Sequence, residues 1–182
     1  KQHLELARTI AERFNGKYSP TFVVPDGFYP KTGAKIYSLL DPTAKMGKTD
    51  DNTAGTVFLL DDADTIMRKF RRAVTDSGNE IRFSADKPGI SNLLTIYSTF
   101  GGMSIAAAEK EFASSDYAAF KTRVGECVVE YFKPIRAKYD EIIADKTYLN
   151  EVMKKGADKA ARSAYRTLGK VYRKVGLVPR VF

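Results

Sequence analysis

The chain has 182 residues, 43% hydrophobic and 29% charged, with a formal charge of +8, an ordinary globular composition for one large domain or two small ones. No apolar run approaches the roughly 20 residues of a membrane span. One cysteine, Cys127, excludes an internal disulfide and fits a reducing cytoplasm, and one histidine, His3, excludes a zinc site or a histidine-based triad within these residues.

Leu4, Ala7, Ile10, Ala11 and Phe14 recur at steps of three and four, which predicts an amphipathic helix over 1–14 that Asn15-Gly16 should end. The chain opens directly on this pattern, without a leading Met or a signal peptide, and reads as the interior of something longer. Residues 21–24 and 35–40 are short β-prone runs bounded by Pro and Gly, expected as extended strands at the edge of a larger α/β domain.

After Ile36 to Leu40 and the turn signal Asp41-Pro42 comes Lys45-Met46-Gly47-Lys48-Thr49, followed by the polar breakers Asp50-Asp51-Asn52-Thr53. That order predicts an exposed loop between two ordered elements. Two ammonium groups, with a backbone that allows close approach at Gly47, suit a polyanion such as triphosphate; a solvated basic turn is the plain alternative.

From Asp61 the pattern is helical. Asp61 or Asp62 caps a helix with Ile66, Met67, Phe70 and Val74 on one side and Arg68, Lys69, Arg71 and Arg72 on the other, broken by 75–79. Pro88 suits the first turn of the next helix, Gly101-Gly102 stops it, and Ser104 starts a short one. A long helix follows from about Asp116, with an apolar stripe from Tyr117 to Ile142, a kink expected at Pro134, and Cys127 packed at its border. The last helix steps through Met153, Ala157, Ala160, Ala164, Leu168, Val171 and Val175. A basic ridge of Lys155, Lys159, Arg162, Arg166, Lys170 and Arg173 lies opposite. Residues 146–174 hold nine Lys/Arg against two acids, a nucleic-acid footprint or a solvated face.

Lys45 to Thr49 resembles the second signature loop of class I aminoacyl-tRNA synthetases, usually spelled Lys-Met-Ser-Lys-Ser. Gly33-Ala34-Lys35-Ile36, Leu40-Asp41-Pro42-Thr43, Asp50 and Asn52 around the loop are similar to bacterial tryptophanyl-tRNA synthetases. So are Ala73-Val74-Thr75-Asp76-Ser77, Lys87-Pro88-Gly89-Ile90-Ser91-Asn92-Leu93-Leu94 and Gly156-Ala157-Asp158-Lys159-Ala160. Lys1-Gln2-His3-Leu4-Glu5 resembles the run after that family's Gly-x-Asp-Gln motif. Gly47 and Thr49 replace two serines; Thr49 keeps a hydroxyl and Gly47 does not. The first signature motif, with its histidines, would precede Lys1.

The resemblance implies a mainly α chain: a remnant of a Rossmann-type α/β catalytic domain over 1–57, then a helical anticodon-binding region over 58–182 whose last helix packs back on the catalytic domain or faces solvent. It implies part of a cytoplasmic ligase that activates tryptophan with ATP and charges tRNA(Trp), inactive in isolation and homodimeric when complete. Lys48 and Lys45 match the catalytic lysines. Ile36, Met46, Gly47 and Thr49 join them at ATP, with magnesium arriving on the nucleotide and no protein-bound metal. Arg68, Lys69, Arg71 and Arg72 are candidate tRNA contacts. A tyrosyl-type fragment and a non-catalytic helical tRNA-binding module are the alternatives.

Overall fold

The computed structural model describes residues 1–30, 33, 35–49 and 52–178; Ala34, Asp50 and Asp51, which enter the sequence argument, lie outside them. Six α-helices follow one another: α1 (Gln2–Tyr18), α2 (Ala63–Arg71), α3 (Pro88–Gly101), α4 (Ile105–Glu111), α5 (Tyr117–Ala144) and α6 (Lys146–Val175), with one 3-10 turn at Thr53–Gly55. Packing divides the chain into two compact units, Pro30–Glu141 and Lys1–Tyr29 with Ile142 onward. These breaks fall elsewhere than 57/58, the boundary expected between functions. The mainly α architecture agrees with the sequence reading, and no described helix is long and apolar enough to cross a membrane.

Neither expected strand forms. Among the described residues the only β pairing is an isolated antiparallel bridge between Tyr37 and Lys45. Residues 36–39 are bonded to separate places, the 44–46 backbone, the 3-10 turn, α3 and Val74, so no second strand lies alongside to build a ladder. Nor does Asn15-Gly16 end the first helix. The Asn15 side chain accepts from the N–H of Thr21 and Phe22 and donates to the Phe22 carbonyl, while α1 continues to Tyr18. Ser19, at φ 87°, then breaks it.

The other boundaries follow local chemistry. Asp62 caps α2 by accepting from the Thr65 N–H at 2.6 Å, and Arg68, Lys69 and Arg71 occupy its last turn, where cations suit the helix dipole. The helix stops at Arg71, short of the expected breaker. Val74 therefore falls outside it, is exposed, and donates its N–H to the Leu39 carbonyl at 2.7 Å. Pro88 opens α3, and Gly102 ends it in the left-handed region at φ 66°.

The core of Pro30–Glu141 gathers Ile66 and Phe70 of α2, Leu93 and Leu94 of α3, and Phe120 and Val124 of α5, all 1% exposed or less. Burying each of the larger side chains contributes about 2–3 kcal/mol. Gly125 lets α5 approach α2 closely, since a Cβ there would meet the Met67 sulfur at 2.9 Å. Cys127 packs at the edge of this core, where burial pushes its thiol pKa up.

In the other unit α6 contributes no buried residue, so both its basic ridge and most of its apolar stripe are accessible. Lys174, near its end, donates to the hydroxyls of Ser19 and Thr21, both at 2.7 Å, and to the Pro20 carbonyl at 3.0 Å.

Candidate functional site

The Lys45–Thr49 loop is held at its root by peptide groups. The Ser38 N–H donates to the Ala44 carbonyl at 2.9 Å, and the Met46 N–H donates to the Ile36 carbonyl at 3.0 Å. The turn between them is shaped by Asp41, whose carboxylate accepts from the hydroxyl and N–H of Thr43. Those two bonds, the hydroxyl first, hold its pKa below the usual carboxylate value. Leu39, 2% exposed, fixes the run to the interior, its N–H donating to the Gly55 carbonyl at 2.8 Å. On the far side, the Thr56 hydroxyl donates to the Gly47 carbonyl at 3.0 Å.

One side chain clamps this root from α3. Asn92, 4% exposed, accepts from the Tyr37 N–H and donates to the Tyr37 carbonyl, both at 2.9 Å. A carboxamide that satisfies both groups of one peptide-bearing residue replaces the missing strand partner. Sequence reasoning passed over Asn92, quoting it only within a motif. The signal available was an asparagine within the Ile90–Leu94 stretch of α3, where a buried amide needs partners.

At the tip, Lys45 and Lys48 are exposed, and neither ammonium has a side-chain partner among the described residues. Thr49 is exposed beside them. Ile36 and Met46, joined through their backbones, are half-buried with part of each side chain on the core. The structure thus sets two unneutralised cations and a hydroxyl on a braced loop, an arrangement able to meet a polyphosphate without first breaking an ion pair. A hollow of about 440 Å³ at the root includes Tyr37, Phe83 and Asn92 in its lining, and neither lysine lines it.

The four candidate cations of α2 separate. Lys69 turns inward: its ammonium is 2.6 Å from the Asp61 carboxylate, donates to the Thr56 carbonyl at 2.7 Å and sits 4.9 Å from the Phe58 ring centre. Arg68, Arg71 and Arg72 are exposed, and only Arg68 has a side-chain bond, to the Thr65 hydroxyl at 3.1 Å.

A second lysine is likewise interior. Lys87 lies 3.0 Å from Asp76 and donates to the Tyr117 hydroxyl at 3.2 Å; Tyr117 in turn donates to Asp76 at 2.8 Å. Bonding to Tyr117 and Asp76 raises the Lys87 pKa. Burial pushes Asp76 upward, but the bonds from Tyr117, Lys87 and the Gly78 N–H prevail and leave it lowered. No cluster of His, Cys, Asp or Glu suited to a metal occurs among the described residues.

The family model for class I tRNA synthetases (W and Y) matches residues 1–133, which include the loop, Asn92 and the α2 cations. The chain belongs to that family. It is 43% identical over 179 residues to a tryptophan–tRNA ligase of Clostridium perfringens, covering 98% of this chain and 54% of that protein. The crystal structure of a tryptophanyl-tRNA synthetase from Mycoplasma pneumoniae superposes with a TM-score of 0.87 at 30% identity, over 97% of this chain and 54% of the other. That of the Campylobacter jejuni synthetase complexed with ADP and tryptophan gives 0.65 at 28% identity, over the same shares. The chain spans about half the length of the relatives it matches.

Proposed function

We propose that these residues form the later part of a tryptophan–tRNA ligase, which joins tryptophan to ATP with release of pyrophosphate and then transfers the aminoacyl group to the terminal ribose of tRNA(Trp). Attack of the tryptophan carboxylate on the α-phosphate breaks its bond to the bridging oxygen, and negative charge grows on the departing pyrophosphate. The protein's task there is positioning and charge compensation. Lys48 is the donor to that pyrophosphate and Lys45 supports it. The Thr49 hydroxyl bonds a phosphate oxygen, and the Gly47 backbone allows close approach. Ile36 and Met46 offer apolar surface near the adenine. Magnesium arrives with the nucleotide.

The observation that carries this reading is the braced loop whose two ammonium groups face outward without neutralising partners. Residues 1–57 belong on this account to the catalytic domain, and 58–182 to a helical region that binds tRNA, with Arg68, Arg71 and Arg72 as its candidate cations and Lys69, paired with Asp61, as their support. The complete enzyme is a cytoplasmic homodimer. The 182-residue chain alone lacks the histidine-bearing first signature and forms no adenylate.

The test is pyrophosphate exchange into ATP by the complete protein, supplied with tryptophan or tyrosine in turn. Exchange that depends on tryptophan is expected. Dependence on tyrosine would move the chain to the other branch of its family, and no exchange with either would leave a non-catalytic tRNA-binding module.

A further inference from the structure

Between the 3-10 turn and α2 lies a hollow of about 370 Å³, with Thr53, Phe58, Thr65, Arg68, Lys69 and Arg72 in its wall. That size is at the lower end of the roughly 300–1,000 Å³ of small-ligand sites. We infer that this hollow seats a phosphodiester of the bound tRNA, with Arg68 and Arg72 as the clamp and Lys69 as the strut that keeps the hollow open. The inference rests on the tRNA-ligase reading and adds a place and a division of labour to it.

The charge accounting supports the assignment. Lys69 is committed to Asp61 and the Thr56 carbonyl, so it fixes the wall and adds little free charge. Asp61 also accepts from the Phe58 N–H at 2.9 Å, and Asp62 is occupied capping α2. Asp64, one turn before Arg68, forms no ion pair with it. Arg68 in the last turn of α2 and Arg72 at its C-cap both line the hollow, and neither forms an ion pair among the described residues, although the Asp62 charge acts on Arg68 and Asp61, paired with Lys69, also lines the wall. Arg68 uses one donor on Thr65 and keeps the rest; Arg72 has no side-chain bond among the described residues. Paired forks of this kind match the oxygens of a phosphate.

The same geometry argues against reading a base. Phe58 is the only aromatic ring in the wall, and the Lys69 ammonium lies 4.9 Å from its centre, so no open aromatic platform is offered for stacking. A contact to phosphate alone positions RNA without regard to sequence.

The experiment uses the complete protein carrying Arg68→Gln with Arg72→Gln. It measures affinity for tRNA(Trp) and for a non-cognate tRNA across a salt series, alongside tryptophan-dependent pyrophosphate exchange. Both tRNAs should bind about tenfold more weakly, with the slope of log affinity against log salt shallower by about 1. Unchanged affinity and slope, with exchange intact, would overturn the hollow and spare the ligase reading. A loss confined to tRNA(Trp) would overturn the phosphate assignment in favour of base recognition. Absence of exchange in the unmodified protein would sink the ligase reading itself. Arg72→Gln alone removes no bond from the fold and decides the matter by the same salt slope if the double variant melts early.

Discussion

Four lysines in Pro30–Glu141 divide into two pairs with opposite surroundings. Lys45 and Lys48 stand on a loop whose backbone is bonded at 36, 38, 46 and 47, while their ammonium groups have no side-chain partner among the described residues. Lys69 and Lys87 are drawn inward, each within 3.0 Å of an aspartate and each with an aromatic ring nearby. The first pair contributes nothing to the fold that can be read from its contacts, and the second is spent on it. Cations left unneutralised on a braced support are available to a ligand. Removing a lysine of the first kind should therefore cost activity, and disturbing one of the second should cost stability.

The sharpest separation is expected at Lys48. Lys48→Ala in the complete protein should lower adenylate formation by about 100- to 1,000-fold, as the loss of one transition-state donor does. Its melting temperature should match the parent, because the side chain has no partner to lose. Rapid-quench measurement of adenylate and a thermal melt of the same preparation check both halves; a fall in melting without a fall in rate would invert the comparison.

Asp76→Asn should do the reverse. It removes the charge of the carboxylate that accepts from Lys87 and Tyr117, so the folded state should lose stability. Denaturant unfolding reports it, with adenylate formation by the folded fraction unchanged. The pH profile carries the same signature. Asp76 is held below its ordinary 3.8, so its contribution is present above that value and lost as pH falls through the lowered one. Lys87 is held above 10.5, so its share is present below that value and lost as pH rises through the raised one. The contribution of the Lys87–Asp76 pair should be level between these limits, and the acid limb should flatten in Asp76→Asn.

Asn92 lies between the two classes. Asn92→Ala strands the N–H and carbonyl of Tyr37, a loss of about 2 kcal/mol. It also slackens the root of the loop, which should slow adenylate formation about tenfold through lost positioning. Unfolding and exchange measured together would show whether the clamp serves the loop; a stability loss with normal exchange would confine Asn92 to the fold.

The sequence was most readable where the chemistry is local. The Asp62 cap, Pro88 at the start of α3 and Gly102 after its end each act within a turn of where they stand, and all fall where expected. Failures occur where a distant partner decides. Residues 35–40 have strand-like composition, but their partners are single peptides scattered to Val74 and an amide 55 positions away, so extended backbone forms without a sheet. Asn15 has a helix-ending composition but spends its side chain on Thr21 and Phe22. At the site, the exposure of Lys45 and Lys48 follows from their polar, glycine-containing surroundings. The contrast between Lys69 and its neighbour Arg68 does not, because it depends on Asp61 lying within reach of one helix face and not the other. The stripe of α6 shows a further limit: periodicity specifies a helix and its faces, but burial requires a partner, and no α6 residue is buried.

The most direct test of the unneutralised-lysine account is the structure of the complete protein with ATP, magnesium and a non-reactive tryptophan analogue. The account predicts the Lys48 ammonium within hydrogen-bond reach, about 3 Å, of an oxygen on the departing pyrophosphate. An ammonium turned to solvent, or paired with a protein carboxylate while the nucleotide is bound, would contradict it.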